Sequence, residues 1–349
     1  MAISPAAIVP GTLPDFKIYI RSSPIKYVLW ALKGETIRSE QLNKLSEGKH
    51  AEIFVDIEEA FKYEDYLEAN LGNILGNHLS SDDQKTSILT KVSTNVVKAA
   101  FETSIGSSTI GADTLRRTSK MVENAMQFIM EAKSIPALAK MIGHDYDSYK
   151  HATKVLWFTV AFLQENPDIL ERVPQGDESF DERHRLDILR PCGVCALLHD
   201  IGKAFVPLEI LHKDGPLTEL EWEIIKRHPL SGVAMLLDSD IPTFVKKAIL
   251  QHHENFQGDG YPMRLKEQNI TILARVLRII DTFDAMTSRR PYKNPVPPMR
   301  ALQIMIGTPP REQKDPDSVE DDRDQGMRGC FDEELLQKFI TFLGNVKLN

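Results

Sequence analysis

The sequence has little cysteine, no long apolar run and no excess of positive charge. Its three cysteines are an odd number, and no stretch has the features of a signal peptide or the roughly 18 consecutive apolar residues of a membrane helix. Lysine and arginine number 42 against 50 aspartates and glutamates, so the net charge of −8 argues against partners such as nucleic acid or an anionic membrane. These absences predict a protein of the reducing cytoplasm, in which a small anionic ligand would need a local cationic pocket.

Short strand patterns occupy the first 60 residues. They predict a small α+β module that contains a hairpin, with residues 1–15 as an arm rich in proline, alanine and glycine. The predicted strands cover residues 17–21, 26–32 and 51–56, and the predicted helix covers residues 39–45. No residue of this module suggests a ligand, and its position ahead of a larger domain suggests regulation or homodimer formation.

From residue 82 onward the pattern is that of helices, because apolar residues recur at three- and four-residue spacing without strand alternation. The predicted helices cover residues 82–104, 112–133, 134–142, 147–165, 242–251 and 272–286. We therefore predict a mainly α protein, in which a small α+β domain over residues 1–78 precedes an all-helical domain over residues 79–349.

The apolar stretch over residues 197–203 ends in three ionisable side chains, His199, Asp200 and Lys203. Charge at the end of an apolar run is costly unless a partner compensates for it, and a metal ion would pair with His199 and Asp200. On a helix these two side chains point about 100° apart, so they can bind one cation from two sides or reach two cations. A His-Asp doublet is common by itself, and ligands elsewhere in the chain decide its meaning.

Further nitrogen and oxygen ligands follow on other predicted helices. The six candidates are His199, Asp200, His228, His252, His253 and Asp281, and His151 on an upstream helix is a seventh. Such a set exceeds a four-coordinate zinc site and fits two octahedral first-row metals that share an aspartate and a water, with iron or manganese preferred. The glycines of the loop Gly258 to Pro262 can form a rim over this site, and Arg289, Arg290 and Lys293 supply the cations that phosphate recognition needs.

Together these motifs resemble the HD-GYP phosphodiesterase family of the HD superfamily. The resemblance covers residues 145–305 and rests on His199-Asp200-Ile201-Gly202-Lys203, His228-Pro229, His252-His253-Glu254, Gly258-Asp259-Gly260-Tyr261-Pro262, Asp281-Thr282-Phe283-Asp284-Ala285-Met286-Thr287 and Arg290-Pro291-Tyr292. It implies a five-helix HD core with extensions, and a C-terminal helix over residues 331–343. It also implies hydrolysis of cyclic di-GMP to linear pGpG through attack by a hydroxide held between two metals, with the further step to GMP left open.

Carried over by position, the six candidates would bind the metals, and Asp200 would bridge them. Lys203 would contact the scissile phosphate and stabilise the developing negative charge. The substrate contacts that the resemblance implies are Asp284, Arg290, Lys293, Gly260, Tyr261 and Pro262. The loop over residues 254–262 would close on substrate or dock on a diguanylate cyclase domain.

Three features depart from the family pattern. Gln257 stands where the family usually has aspartate, which changes the loop but removes no ligand. Asp147, one turn before His151, is either a ligand of a third metal together with His151 or the cap of its helix, and the sequence leaves both interpretations open. Residues 309–329 form an acidic segment with almost no apolar residues, which we predict to be disordered.

Two other functions fit parts of the pattern. A cyclic dinucleotide receptor with negligible turnover would bind through Arg290 and Lys293, although a receptor has no need of six metal ligands. An HD phosphohydrolase for another nucleotide is the second alternative. The loop Gly258 to Pro262 favours cyclic di-GMP over a nucleoside triphosphate and leaves a mixed cyclic dinucleotide open.

Overall fold

The computed structural model describes residues 1–47, 52–77, 80–130, 148–177, 184–288, 294–307, 327 and 329–345. The chain divides into two compact units. The first contains residues 1–93 and 123–128, and the second contains residues 94–122 and 129–349. All the predicted metal ligands belong to the second unit.

An antiparallel sheet of four strands characterises the first unit. The strands are β1 (Ala2–Ile3), β2 (Ile18–Ser23), β3 (Lys26–Ala31) and β4 (Ile53–Val55). Their order across the sheet is β1-β4-β2-β3, so that β3 is an edge strand. The predicted hairpin is confirmed as β2 and β3, in which Ile20 pairs with Val28 and Arg21 pairs with Tyr27.

The prediction of an arm over residues 1–15 is wrong. Ile8 is buried, and the neighbouring Phe16 packs edge-on against Tyr63 and Tyr66, with ring centroids 5.7 and 5.5 Å away. The Val9 amide donates a hydrogen bond of 2.8 Å to the Tyr66 hydroxyl. Composition misled here because a few well-placed apolar residues are enough to anchor a segment that also contains proline and glycine.

Helices make up most of the rest of the described chain. They are α1 (Ser39–Glu47), α2 (Ala60–Ala69), α3 (Leu71–Leu75), α4 (Asp82–Ser107), α5 (Ala112–Met130), α6 (Ser148–Glu165), α7 (Pro167–Leu170), α8 (Arg185–Leu198), α9 (Leu208–Leu211), α10 (Glu219–Ile225), α11 (His228–Leu236), α12 (Thr243–Gln251), α13 (Ile272–Thr287), α14 (Pro298–Ile306) and α15 (Glu333–Asn345). The mainly α prediction is confirmed, and the helix predicted over 134–142 lies outside the described residues. No helix in the described ranges has the length and apolar character needed to cross a lipid bilayer.

Five buried phenylalanines join α6, α13 and α15. Their ring centroids lie 5.5 to 6.5 Å apart, mostly in edge-on pairs. They are Phe158 and Phe162 of α6, Phe283 of α13, and Phe339 and Phe342 of α15. This packing fixes α13 against α6, and these two helices carry Asp281 and His151.

The acidic segment predicted over 309–329 lies mostly outside the described residues. Two of its last residues are described. The Met327 amide donates to the Ile304 carbonyl at 2.9 Å, and the Gly329 carbonyl accepts from the Gln257 amide at 2.9 Å. The end of the segment therefore contacts both α14 and the loop that follows α12.

Candidate metal centre

Five helices of the second unit bring the predicted ligands to one place. His151 lies in the first turn of α6, His199 and Asp200 directly after α8, His228 at the start of α11, His252 and His253 directly after α12, and Asp281 within α13. All of these side chains are buried except that of His253, which is partly exposed. These side chains therefore lie together in one cluster, and their role as metal ligands stays a prediction.

Gly202 allows two of these elements to approach closely. It lies in the short 3-10 helix Ile201–Phe205 that follows Asp200. A β-carbon at this position would collide with the His228 carbonyl oxygen and the Gly232 amide nitrogen, so only glycine lets the start of α11 come so near. The close approach brings His228 Nε2 within 3.1 Å of Asp200 Oδ1.

The tautomers of three histidines follow from their hydrogen bonds. His199, His228 and His252 each place Nδ1 at 2.7 to 2.8 Å from the backbone carbonyl three residues earlier, those of Ala196, Ile225 and Ile249. Because a carbonyl oxygen can only accept, each Nδ1 must carry the proton. Each Nε2 is then a bare lone pair in the neutral ring.

These bare nitrogens face a carboxylate. His228 Nε2 lies 3.1 Å and His252 Nε2 lies 3.8 Å from Asp200 Oδ1, and His199 Nε2 lies 3.5 Å from Asp200 Oδ2. His199 Nε2 and Asp200 Oδ1 are buried, and neither makes a hydrogen bond within the described residues. Acceptors that face acceptors repel one another unless a cation lies between them, and so the cluster fits a divalent metal site.

A second set of ligands continues from Asp200 to α6 and α13. His151 Nε2 lies 3.1 Å from Asp281 Oδ1 and 3.9 Å from Asp200 Oδ2. His253 Nδ1 lies 4.0 Å from Asp281 Oδ2. Two groups with metal-ligand spacing share Asp200: one adds His228, His252 and His253, and the other adds His151 and His199. An aspartate common to both groups has the position of a bridge between two neighbouring ions.

Burial sets the protonation states. It lowers the pKa of His199 to about 4 and the pKa of His253 well below its ordinary value. Burial by itself would raise the pKa of Asp200, but the nearby Lys203 and His199 outweigh it, and that pKa lies well below its usual value. His199 and His253 are therefore neutral and Asp200 is ionised at neutral pH, which is the state that metal binding requires.

Lys203 lies at the mouth of the cluster. Its Nζ is 2.6 Å from Asp200 Oδ2, and 19% of its side chain is exposed. The ammonium group therefore touches a ligand of the centre on one side and solvent on the other. A phosphate that approached from solvent would meet this charge.

Asp284 does not lie where the substrate prediction required it. The residue is fully buried, and its Oδ2 accepts from His151 Nδ1 at 2.7 Å. Its Oδ1 accepts from the Ser288 hydroxyl at 3.1 Å and lies 3.4 Å from Lys154 Nζ. Because the carboxylate is buried and both of its oxygens accept from protein groups, the structure gives no support to a purine contact. Asp284 instead orients His151 from behind, as a carboxylate partner of a metal-ligating histidine does.

The loop Gly258 to Pro262 lies against the ligands. The Tyr261 ring stacks on His253 with centroids 4.8 Å apart and 26° between the ring planes. A β-carbon at Gly260 would collide with the Asn255 amide nitrogen and would lie 2.5 Å from the Glu254 α-carbon. Gly260 is thus required by close backbone packing, which accounts for its presence without a substrate contact.

Three predicted residues lie outside the described part of the chain. They are Asp147, Arg290 and Lys293. The third-metal interpretation of Asp147 and the phosphate-binding roles of Arg290 and Lys293 stay predictions.

Comparisons with known proteins agree with this geometry. A family model described as "HD domain" matches residues 187–316, which include the ligands from His199 to Asp281. The fold is shared with Bd1817, a HDG"Y"P protein from Bdellovibrio bacteriovorus, at a TM-score of 0.60 and 18% identity over 99% of both chains. Residues 187–316 of the chain are therefore similar to an HD domain.

Curated relatives are similar to part of this chain. The Pseudomonas aeruginosa protein "Cyclic di-GMP phosphodiesterase PA4108" is 34% identical over 184 residues, which are 52% of this chain and 40% of that protein. The Vibrio cholerae protein "3'3'-cGAMP-specific phosphodiesterase 2" is 42% identical over 100 residues, 28% of this chain and 19% of that protein. The chain therefore spans less than half the length of these relatives.

Sequence reasoning missed several polar residues that surround the cluster at Asp200. Lys154 is buried and donates to the Ser288 hydroxyl at 2.7 Å, beside Asp284. Glu254 is buried and accepts from the backbone amides of Met263 and Leu265 at 2.6 and 3.0 Å. A lysine within the apolar pattern of α6 was the available signal, since burying its charge requires a partner. The sequence does not reveal that the partner is Asp284, 130 residues away.

Proposed function

We propose that this chain is a metal-dependent phosphodiesterase that hydrolyses cyclic di-GMP to linear pGpG. The proposal rests on the buried cluster around Asp200, in which bare imidazole nitrogens and carboxylate oxygens face one another at 3.1 to 3.9 Å. Such a cluster is unfavourable without cations and has no evident structural purpose. The P. aeruginosa relative is named as a cyclic di-GMP phosphodiesterase, and this name supports the choice of substrate.

The proposed cofactor is a pair of divalent ions, with iron or manganese preferred. Mixed imidazole and carboxylate ligands around a shared aspartate suit these metals, whereas a four-coordinate zinc site would leave several ligands unused. A third ion is part of the proposal only if Asp147 joins His151 in binding it. When bound, the metals would supply Lewis acidity and a nucleophile for hydrolysis at neutral pH.

The protein's own groups would position the substrate. Lys203 would hold the scissile phosphate and stabilise the negative charge that develops on its oxygens. Arg290 and Lys293 would bind the second phosphate. Tyr261, held by its stack on His253, would form one wall of the pocket at the mouth of the centre. The proposed contact of the loop 254–262 with a diguanylate cyclase domain would compete with this role.

The test is metal analysis of anaerobically purified protein, followed by cyclic di-GMP turnover on the same sample. We expect two or three metals per chain and the appearance of pGpG. If pGpG then persists, it is the final product; if it is converted to GMP, the final product is GMP. His199→Ala should lose metal and turnover together, whereas the matched control His212→Ala, at an exposed histidine, should keep both. Bound metal and tight cyclic di-GMP binding without product would replace the enzyme proposal with the receptor.

A second candidate substrate is a mixed cyclic dinucleotide. The V. cholerae relative is named for 3'3'-cGAMP and is 42% identical to this chain over 100 residues. Both substrates present the same phosphodiester to the centre, so they differ only in the base that the pocket accepts. Product analysis over cyclic di-GMP, 3'3'-cGAMP and cyclic di-AMP at equal concentrations distinguishes them by the ratio of kcat/KM values.

A further inference from the structure

The edge strand β3 of the first unit exposes apolar side chains. Tyr27, Val28 and Leu29 are 48%, 41% and 44% exposed, and Ile25 and Leu32 at its two ends are 93% and 55% exposed. Along a strand, alternate residues point to opposite faces, so Tyr27 and Leu29 share one face and Val28 points to the other. Contiguous exposed apolar residues of this kind mark a site of interaction.

β3 also has a free hydrogen-bonding edge. In the described part of the chain its backbone pairs with β2 alone, and the pairing is regular from Tyr27 to Leu29, between irregularities near its two ends. Edge strands are usually protected by proline, by several charges or by a covering element. β3 has no proline and one charged residue, Lys26, at its first position.

We propose that β3 is an interface through which two copies of this chain pair, antiparallel and centred on Val28. The pairing would join the four-stranded sheets of both copies into one continuous sheet. A two-fold axis perpendicular to the sheet generates this arrangement, because it reverses the strand direction and keeps each face on its own side.

The side chains of β3 are complementary to themselves in this register. Val28 lies opposite Val28 of the second copy, and Tyr27 lies opposite Leu29 of the second copy on the same face. Lys26 lies opposite Trp30 of the second copy, which permits a cation–π contact. Each copy contributes the same apolar strip, so that a second chain covers the whole of it without requiring a different partner.

Charge also favours an antiparallel second copy. The Glu35 carboxylate folds back and accepts from the Leu32 amide at 2.9 Å, which places negative charge at the end of β3 opposite to Lys26. Lys33 at that end is paired with Asp15 at 2.7 Å. Antiparallel pairing brings Lys26 of one copy towards Glu35 of the other and keeps the two Lys26 residues about 13 Å apart along the strand, beyond the screening length of about 8 Å.

The first test compares the full chain with two matched variants by sedimentation analysis over a concentration series. Wild-type protein should form dimers that dissociate on dilution. Val28→Glu places two carboxylates opposite each other and should weaken the dimer about a hundredfold or more. Ile57→Glu, at a residue that is 78% exposed in the same unit, should leave it unchanged. A wild-type chain that stays monomeric, or a Val28→Glu chain that dimerises like wild type, would overturn the proposal.

The second test reports the register and does not depend on weakening the dimer. Val28→Cys should form a covalent dimer under mild oxidation, because the two cysteines would lie directly opposite each other, whereas Ile57→Cys should not. Circular dichroism and metal content should match wild type in both variants. Equal cross-linking of the two variants would reject the β3 interface. Binding of a different protein at β3, instead of a second copy of this chain, would also reject it.

Discussion

Two clusters of polar side chains meet at the neighbouring residues His253 and Glu254. They differ in whether their polar atoms have hydrogen-bond partners. In the loop after α12, Glu254 accepts from two backbone amides, and Asn255 Oδ1 accepts two hydrogen bonds from Arg278 at 2.9 and 3.0 Å. In the metal centre, acceptors face acceptors around Asp200. Buried polar groups in proteins are normally paired, so the loop is complete as it stands and the centre requires ions that the chain does not supply.

The largest expected effect is that of Asp200→Ala. Loss of the shared carboxylate should remove bound metal and reduce turnover to the uncatalysed background, because both ligand groups contain this residue. Metal analysis and turnover of the same preparation measure the two losses together. Retained metal-dependent turnover in this variant would contradict the assignment of the centre.

Lys203→Ala should separate catalysis from metal binding. The ammonium group is not a ligand, so metal content should stay near that of wild type while kcat falls by about 10²- to 10³-fold, the usual cost of removing one group that stabilises transition-state charge. Single-turnover rates on metal-loaded protein provide the measurement. A variant that has lost its metal would show instead that Lys203 is needed to hold Asp200 in place.

Asp284→Asn should weaken metal binding by about 10- to 100-fold, as loss of the group behind a ligating histidine generally does. Asparagine fills the same space but no longer fixes the orientation of His151 with a charge. Metal titration followed by calorimetry measures the change. The matched control is Asp168→Asn, which breaks the surface ion pair with Lys338, and equal affinities in the two variants would argue against the positioning role.

Glu254→Gln has the smallest predicted effect, which is a loss of stability and leaves metal binding unchanged. The Met263 and Leu265 amides donate to different oxygens of Glu254, and glutamine replaces one of these oxygens with an NH2 group that cannot accept. The free energy of unfolding should therefore fall by about 1–3 kcal/mol while metal content is kept. Urea denaturation of the metal-free protein measures it.

The ligands were predictable from the sequence because each belongs to a short local motif. His199, His228 and His252 are oriented by the carbonyl three residues earlier, so the chain around each histidine also determines its tautomer. The capping box of Thr218 and Glu221 at the start of α10 is another local motif of this kind, because both of its hydrogen bonds join residues three apart.

Errors arose where the partner is distant in sequence. Asp284 was assigned to substrate, although it contacts His151, 133 residues earlier, and no periodic pattern reveals such a pair. The arm over residues 1–15 was inferred from composition, whereas its anchoring depends on Tyr66, 57 residues after Val9. The edge position of β3 likewise depends on strand order, which the hairpin alone does not determine.

The ligands that follow α8 and α12 lie at the carboxyl ends of those helices, and this has an electrostatic consequence. The carboxyl end of a helix carries about half a unit of negative charge from its aligned peptide dipoles. Two such ends converge on the cluster with Asp200 and Asp281, so without metal the site attracts cations and repels anions, an effect that salt screens. Under the proposed function, an anionic dinucleotide would meet a favourable field only once the ions are bound. Metal loading would then precede substrate binding, and the affinity for substrate would report the metal occupancy of the protein.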